Sequence, residues 1–153
     1  MSLPLQQRAD YRLSLPQRER ALRLFNQRSE LLWFGFRGRF DADGVAAISL
    51  EQLHEGVRGG GGTGAVNGGV IAAGFDAVSV LSGLGQYETD VVVTLELSVQ
   101  FLSLARTEFA PEFRGWVTRS SRTLSFVQGT LEGGGRVFAT ASAMVMPVFA
   151  AAS

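Results

Sequence analysis

The sequence lacks cysteine and lysine altogether and contains a single histidine, His54. Without cysteine the chain forms no disulfide and no thiolate metal site, and with one histidine we expect no histidine-based metal site. Without lysine a Walker A phosphate loop is excluded. The 14 basic residues, all arginine, balance 14 acidic residues, so no net charge attracts the chain to nucleic acid or to a membrane surface.

Long hydrophobic runs are also missing. The sequence shows no signal-peptide pattern and no apolar stretch of about 20 residues, the length that a helix needs to span a bilayer. This predicts a cytoplasmic protein without a membrane partner. Apolar residues nevertheless make up 46% of the chain, which is enough for a sizeable core. We expect a single domain over residues 1–153, with an N-terminal extension and helix over 1–32 and the core over 33–150. The eight arginines up to Arg39 predict a solvated helix face, with phosphate binding as the alternative.

Residues 58–85, RGGGGTGAVNGGVIAAGFDAVSVLSGLG, contain the most informative stretch. A glycine loop over residues 59–64 comes first, and Asn67 then stands where a helix cap is needed. From Val70 to Leu84 every residue is apolar or small except Asp76. A helix that is apolar all round is buried all round. We therefore expect a buried central helix carrying one buried carboxylate, which is costly unless the group has partners or a function.

The rest of the chain predicts one further helix and a set of strands. The helix runs from Pro16 to Leu32, with Leu22, Phe25 and Leu32 on its buried side. A hairpin of strands over 33–40 and 45–53 follows, around a turn at 41–44. Residues 90–104 alternate as a strand does, and one face of it carries Val93, Leu95, Leu97, Val99 and Phe101. The last strands are predicted over Phe113–Arg122, Thr123–Leu131 and Arg136–Val148. The order predicts an α+β fold in which an antiparallel sheet curls around one helix.

The glycine loop formally matches the dinucleotide-binding fingerprint as Gly59-x-Gly61-x-x-Gly64. That fingerprint needs a βαβ unit and an acidic residue about 20 positions later, whereas Asp76 comes too early and strands follow the helix. We reject a nucleotide-binding function. What remains is that the backbone N–H groups of Gly68 and Gly69, at the positive end of a helix, are open to a ligand oxygen.

Three segments together resemble a known family. AVNGGVIAAGFDAV resembles the motif on the central helix of PaaI-like hotdog thioesterases, relatives of hydroxybenzoyl-CoA thioesterase. TLELSVQFLSLAR resembles their next strand, and FRGWVTRSSRTLSFVQGTLEGGGRVFATASAMVM resembles their closing strands. The resemblance covers residues 33–147. It implies a hotdog fold and hydrolysis of acyl-CoA thioesters without metal or cofactor, coenzyme A being part of the substrate.

The resemblance also implies roles for particular residues. Asp76 takes the catalytic carboxylate position, as general base or nucleophile, and Gly68 the position whose N–H polarises the thioester carbonyl. Thr94 falls where many members carry a hydroxyl that orients the water or the carboxylate. The substrate-binding candidates are Asn67 (where the family usually has histidine), Gly69, His54, Arg58, Arg119 and Arg122. The alternatives are a structural carboxylate at Asp76, an ordinary strand residue at Thr94, and solvated arginines at the strand edge.

Gly68 and Asp76 are eight residues apart, about 12 Å along one helix at 1.5 Å per residue. They do not easily serve one thioester together, whereas two antiparallel helices across a twofold axis would bring Gly68 of one chain near Asp76 of the other. We therefore expect an obligate homodimer, or a dimer of dimers, with acyl-CoA as the substrate. The competing functions are a non-catalytic acyl-CoA binding protein and, ranked lower, a hotdog hydratase or dehydratase using His54.

Overall fold

The computed structural model describes residues 7–150, which form three α-helices around and beside one antiparallel sheet. The helices are α1 (Leu15–Phe25), α2 (Ser29–Phe34) and α3 (Gly68–Leu84). The strands are β1 (Phe36–Phe40), β2 (Val45–Leu50), β3 (Val91–Phe101), β4 (Glu112–Ser120), β5 (Ser125–Gly133) and β6 (Arg136–Val148), with short 3-10 turns at Gly60–Gly62 and Thr107–Phe109. The six strands lie in the order β1-β2-β4-β5-β6-β3. The predicted α+β arrangement is confirmed.

The N-terminal helix begins as its sequence predicts but ends earlier. Ser14 and Gln17 form a capping box at its start, which satisfies N–H groups that the first turn leaves unpaired. The helix stops at Phe25 because the Asn26 side chain leaves the helix and bonds both backbone groups of Gly38, accepting from its N–H at 2.7 Å and donating to its carbonyl at 3.0 Å. The prediction of one helix to Leu32 is therefore wrong.

The segment after this break forms a second, separate helix, α2. Residues 33 and 34, predicted as strand, complete the helix, and β1 begins only at Phe36. Gly35 ends α2 in the left-handed conformation (φ 71°), and a side chain there would also meet the backbone of Gln52. Leu32, predicted to be buried, is 64% exposed, whereas its neighbour Leu31 is buried.

The helix α3 packs along the concave face of the sheet. Its buried side chains include Phe75, Val78 and Leu81. The contact with β4 is close, because a side chain at Gly74 would lie inside the ring of Phe113 and one at Gly115 would press on Val78. The prediction of a central helix capped by Asn67 is confirmed.

The strand β3 forms one edge of the sheet and contains a bulge that its sequence did not reveal. Its pairing with β6 shifts between Thr94 and Glu96, which leaves Leu95 as the extra residue. Beyond the bulge Leu97, Val99 and Phe101 lie opposite buried alanines of β6. Before it the inward positions are Val92 and Thr94, opposite the buried Pro147 and Val145. The prediction that Val93 and Leu95 share a face with Leu97 is therefore wrong.

The remaining strands follow the predictions closely. The hairpin turn at 41–44 has positive φ at Asp43 and Gly44, and β4, β5 and β6 begin and end within three residues of their predicted bounds. Among residues 7–150, no helix is long and apolar enough to cross a membrane.

Candidate functional site

One face of α3 is open to solvent over the first half of the helix. Gly69 and Asp76 are exposed and Ala72 and Ala73 are half-buried, and their spacing of three to four residues places them on one side of the helix. The C-terminal half of α3 is buried on all sides. The prediction of a helix buried all round, with a buried carboxylate at Asp76, is therefore wrong for the chain by itself.

The N-terminus of α3 lies at one end of this open face. The Asn67 side chain caps the helix by accepting a hydrogen bond from the N–H of Gly69 at 2.8 Å. Because this bond occupies the N–H of Gly69, the N–H of Gly68 is better placed to donate to a ligand oxygen. Gly68 is exposed, and the ring of Phe101 lies 3.6 Å from where its side chain would begin.

Asp76 lies between this open face and a small apolar cleft. The cleft has a volume of about 100 Å³ and separates α3 from α1 and α2. Its lining residues are Phe25, Arg28, Glu30, Leu31, Phe34, Phe36, Ala73, Asp76, Ala77 and Val80. Asp76 and Gly68 remain eight residues apart on one helix, about 12 Å, so one chain does not bring them together.

Thr94 faces α3 from β3, and its hydroxyl oxygen is shielded from solvent without a hydrogen-bond partner among residues 7–150. Val92, two residues earlier on the same face, touches the position of a side chain on Gly83. Two strand residues span about four helix residues, so Thr94 lies level with Ser79, about one turn from Asp76. A buried hydroxyl left unpaired costs about 1–3 kcal/mol, so this oxygen favours an additional partner.

His54 is held by the backbone through both ring nitrogens. Its Nε2 lies 2.9 Å from the Trp33 carbonyl oxygen and its Nδ1 accepts from the N–H of Gly56 at 3.1 Å. These partners fix the tautomer with the proton on Nε2 and link α2 to the loop before the glycines. This is a structural role for the predicted substrate-binding histidine.

The three arginines predicted to bind substrate lie at opposite ends of α3. Arg58 pairs with Val66 in an isolated bridge and therefore lies beside the start of α3. Arg119 and Arg122 lie at the β4–β5 turn, where Ser120 and Ser125 contact the Tyr87 hydroxyl. Tyr87 follows the C-terminus of α3, so these two arginines are at the opposite end of that helix from Gly68.

Sequence reasoning missed residues that the fold brings to the site. Arg106 lies beside the glycine loop through a bridge to Ala65, opposite Arg58, and forms an ion pair with Glu108. Leu31 and Phe34 of α2 line the cleft at Asp76. The only signal for Leu31 and Phe34 in the sequence was the aromatic content of residues 33–40. Their position depends on the break between α1 and α2, which the sequence does not reveal.

A larger groove of about 650 Å³ lies between α1 and the start of β3. Its rim includes the exposed ion pair of Arg20 and Asp90, whose closest atoms are 2.7 Å apart. Gly68, Asp76 and Thr94 do not line it, so its size alone does not make it the site. In residues 7–150 no three histidine or acidic side chains are grouped so as to hold a metal ion.

The outer side of β3 is the open edge of the sheet, since β6 pairs with its inner side only. Large apolar side chains are exposed on and just beyond this strand: Val91, Val93, Leu95, Phe101, Leu102 and Leu104. An unpaired strand edge with apolar neighbours is a template for pairing with another chain.

An antiparallel six-stranded sheet wrapped around one long helix, with the helix N-terminus exposed at one end, defines the hotdog class of folds. Residues 63–139, half of the chain, match the model of the Thioesterase superfamily. The chain belongs to this family, which confirms the resemblance seen in its sequence. The matched segment includes Gly68, Asp76 and Thr94.

Solved structures share this fold. A thioesterase family protein from Silicibacter pomeroyi is 20% identical, with 87% of this chain and 99% of that chain covered and a TM-score of 0.74. A phenylacetic acid degradation-related protein from Ralstonia eutropha is 25% identical, with 85% and 98% covered and a TM-score of 0.69. The PaaI protein of E. coli is 11% identical, with 89% and 97% covered and a TM-score of 0.72. No curated protein matches the sequence.

Proposed function

We propose that this protein is an acyl-CoA thioesterase that hydrolyses its substrate to a carboxylic acid and free coenzyme A. The observation that carries the proposal is the open face of α3, which runs from the helix N-terminus to the exposed Asp76. This face lies within the segment that matches the Thioesterase superfamily. Thioester hydrolysis needs a polarised carbonyl and an activated water, and the two ends of this face offer the groups for each task.

The proposed enzyme is a homodimer, because one chain holds its two groups about 12 Å apart. In a twofold arrangement with antiparallel α3 helices, Gly68 of one chain lies near Asp76 of the other, and both sites are completed by one interface. The residues between them, Gly69, Ala72 and Ala73, are small enough for a second helix to approach closely. The partner helix would also cover Asp76, which the single chain leaves exposed.

The open edge of β3 supports the same arrangement. A second copy of β3 would pair its unpaired backbone groups, and the exposed apolar side chains at the end of the strand would be covered. Phe101 lies beside Gly68, so pairing at this end of β3 is also close to the start of α3. The edge and the helix face therefore favour a single interface.

The proposed chemistry uses Asp76 as the base that takes a proton from the attacking water. Negative charge then develops on the thioester carbonyl oxygen, and the Gly68 N–H of the partner donates to it at the positive end of its helix. Loss of such a donor typically costs about 2.7–4 kcal/mol of transition-state stabilisation. Collapse of the tetrahedral species breaks the carbon–sulfur bond, and the departing thiolate takes up the proton that Asp76 holds, which gives the carboxylic acid, the free thiol and an ionised Asp76.

The hydroxyl of Thr94 is the group that orients the attacking water or the Asp76 carboxylate in this scheme. Its oxygen lacks a partner among the described residues, and it lies about one helical turn from Asp76. A water beside Asp76, or the Asp76 carboxylate itself, would form the missing hydrogen bond with Thr94 and be oriented by it. Arg58 and Arg106, on either side of the glycine loop, are the proposed partners of the coenzyme A phosphates, since arginine binds phosphate bidentately.

The experiment that tests this function is a screen of acyl-CoA esters with detection of the released thiol. The substrates are short, medium and long aliphatic acyl-CoAs and an aromatic acyl-CoA. Turnover of at least one is expected from the wild type and not from Asp76→Ala, which should still form the dimer. Binding of acyl-CoA without turnover of any ester would instead identify a non-catalytic binding protein. The cytoplasmic location and a dimer of dimers stay predictions.

A further inference from the structure

Asn67 is followed directly by Gly68, and the two form the only Asn-Gly pair in the sequence. Asparagine is a chemically labile residue, because the backbone nitrogen that follows it can attack its side-chain carbonyl carbon. A glycine at the next position puts no side chain in the way of that attack. The other asparagine of the chain, Asn26, precedes Gln27, and its side chain is held by two hydrogen bonds to the backbone of Gly38.

The two groups that would react are exposed, and the attacking nitrogen has no partner within its helix. Asn67 and Gly68 both lie at the surface of the chain. Gly68 is the first residue of α3, and the first N–H groups of a helix have no acceptor inside it. The cap bonds the N–H of Gly69 instead. The Gly68 nitrogen is therefore open to solvent base.

The backbone at Asn67 must open before the two groups can meet. At the observed ψ of 138° the Gly68 nitrogen is turned away from the Asn67 side chain, and ring closure requires rotation about this bond. The rotation breaks the cap bond from the Gly69 N–H at 2.8 Å and the bond from the Ile71 N–H to the Asn67 carbonyl at 2.9 Å. The bond from the Asn67 N–H to Val57 is retained, so the opening is confined to the first turn of α3.

This first turn is the weakest part of α3. It begins with Gly68 and Gly69, and glycine is the least favourable helix residue after proline. The loop over residues 59–64 precedes it, and three glycines of that loop are surrounded by open space. Local opening of such a segment needs far less free energy than global unfolding. Two hydrogen bonds of about 1 kcal/mol each make the open state about 30-fold rarer than in an unfolded chain.

We propose that Asn67 is a site of spontaneous deamidation in which the backbone nitrogen of Gly68 is the nucleophile. This nitrogen gives its proton to solvent base and bonds to the side-chain carbonyl carbon of Asn67. The side-chain carbon–nitrogen bond breaks, and the amide leaves as ammonia after taking up a proton. The product is a five-membered succinimide. Water then opens the ring at either of its carbonyl carbons, which leaves aspartate or isoaspartate at position 67.

The modification removes the group that we propose to polarise the thioester carbonyl. In the succinimide the Gly68 nitrogen carries no hydrogen, and in isoaspartate an additional main-chain carbon displaces its N–H. This consequence rests on the proposed function, whereas the chemical step does not. The active life of each chain is then limited by how often the first turn of α3 opens.

The test follows both asparagines in the full chain at pH 8 by tryptic peptide mapping with mass spectrometry. The digest places Asn67 and Asn26 in different peptides, because arginines separate them. Conversion at Asn67 is expected to be about 30-fold slower than in the urea-unfolded chain and faster than at Asn26 in the folded chain, with isoaspartate among its products. Equal conversion at the two asparagines of the folded chain, or conversion without isoaspartate, would overturn the proposal.

Two variants separate ring closure from direct hydrolysis of the amide. In Gly68→Ala the added methyl group meets only the ring of Phe101, at 3.6 Å, so the fold should tolerate it. The methyl group hinders attack by the nitrogen and should bring conversion at Asn67 down to the level of Asn26. Asn67→Gln keeps the amide but requires a six-membered ring, and should stay unmodified. Conversion in Gly68→Ala at the wild-type rate would rule out its nitrogen as the nucleophile.

Turnover measurements separate this inference from the proposed function. The thioesterase activity of a stored sample should fall in proportion to its isoaspartate content. S-acetonyl-coenzyme A, a thioether with a ketone near the position of the thioester carbonyl, should slow conversion at Asn67 by occupying the Gly68 N–H. Deamidation in a protein that hydrolyses no thioester contradicts the proposed function alone. Hydrolysis by a protein whose Asn67 stays intact contradicts this inference alone.

Discussion

The side-chain oxygen of Asn67 accepts a hydrogen bond from the backbone N–H of Gly69 at 2.8 Å. This contact begins α3 and also determines which of the neighbouring glycine donors is available. A helix with this cap should lose stability when the oxygen is removed, because an N–H of the first turn is then unpaired.

Asn67→Ala is expected to lower the free energy of unfolding by about 1 kcal/mol, measured by urea denaturation at fixed protein concentration. Asn67→Asp keeps an acceptor oxygen at the helix N-terminus and should retain most of the stability. Equal stability of the alanine variant and the wild type would show that the cap is not needed to form α3.

Asp76→Asn should reduce thioester turnover by about 10²- to 10⁴-fold, because the amide cannot accept the proton of the attacking water. The control is Glu30→Gln, which neutralises the other carboxylate on the rim of the same cleft and should change turnover little. Sedimentation of both variants should match the wild type. Substantial activity in Asp76→Asn would remove this residue from the mechanism.

Leu102→Lys combined with Leu104→Lys should dissociate the proposed dimer and abolish turnover with it. Both residues are about 60% exposed at the end of the open edge strand, and two added charges would be desolvated in the interface. Leu15→Lys, at an equally exposed leucine of α1, is the matched control and should remain dimeric. Sedimentation velocity at micromolar concentration distinguishes the outcomes. An active monomer would contradict the requirement for a second chain.

The stabilisation that Tyr11 gives the folded protein should be lost at alkaline pH. Burial raises the pKa of its phenol, nearby Arg18 lowers it less, and Asp41 raises it further. The folded chain therefore keeps a proton that the unfolded chain releases above its ordinary pKa of about 10. The contribution is fully present below that pH and is lost as pH rises above it.

The measurement is the free energy of unfolding of the wild type and Tyr11→Phe between pH 8 and 11. The variant loses the hydrogen bonds from the hydroxyl to the carbonyls of Val45 and Asp41 and should be less stable at pH 8. The difference between the two proteins should shrink as the pH rises above 10. A constant difference would contradict the raised pKa of Tyr11.

Much of the fold could be predicted because local pattern and final packing agree. The apolar run from Val70 to Leu84 predicts a central helix and forms one, and β6 begins and ends at its predicted residues. The break after Phe25 could not be predicted, because it depends on Asn26 bonding Gly38 on a strand that comes later in the chain. The bulge at Leu95 is likewise set by pairing with β6 rather than by the sequence of β3.

The candidate site was predictable in part for a similar reason. The resemblance located Asp76, Gly68 and Thr94 in sequence, but an apolar pattern does not reveal whether its own chain or a second one covers it. The first half of α3 is as apolar as the second, yet only its second half is covered within the chain. Leu31 and Phe34 lay outside the recognised motifs and depend on α2, whose first four residues were expected to continue α1 and whose last two were expected to begin a strand.

The two edges of the sheet are unlike each other, and the difference limits how chains can assemble. The β3 edge is long and apolar, whereas β1 at the other edge has five residues, two of them arginines. Joining two chains through β3 leaves a β1 strand at each end, and a short, charged edge discourages further strand addition. In the proposed dimer, assembly through this sheet would thus end with a closed pair and would not continue into a filament.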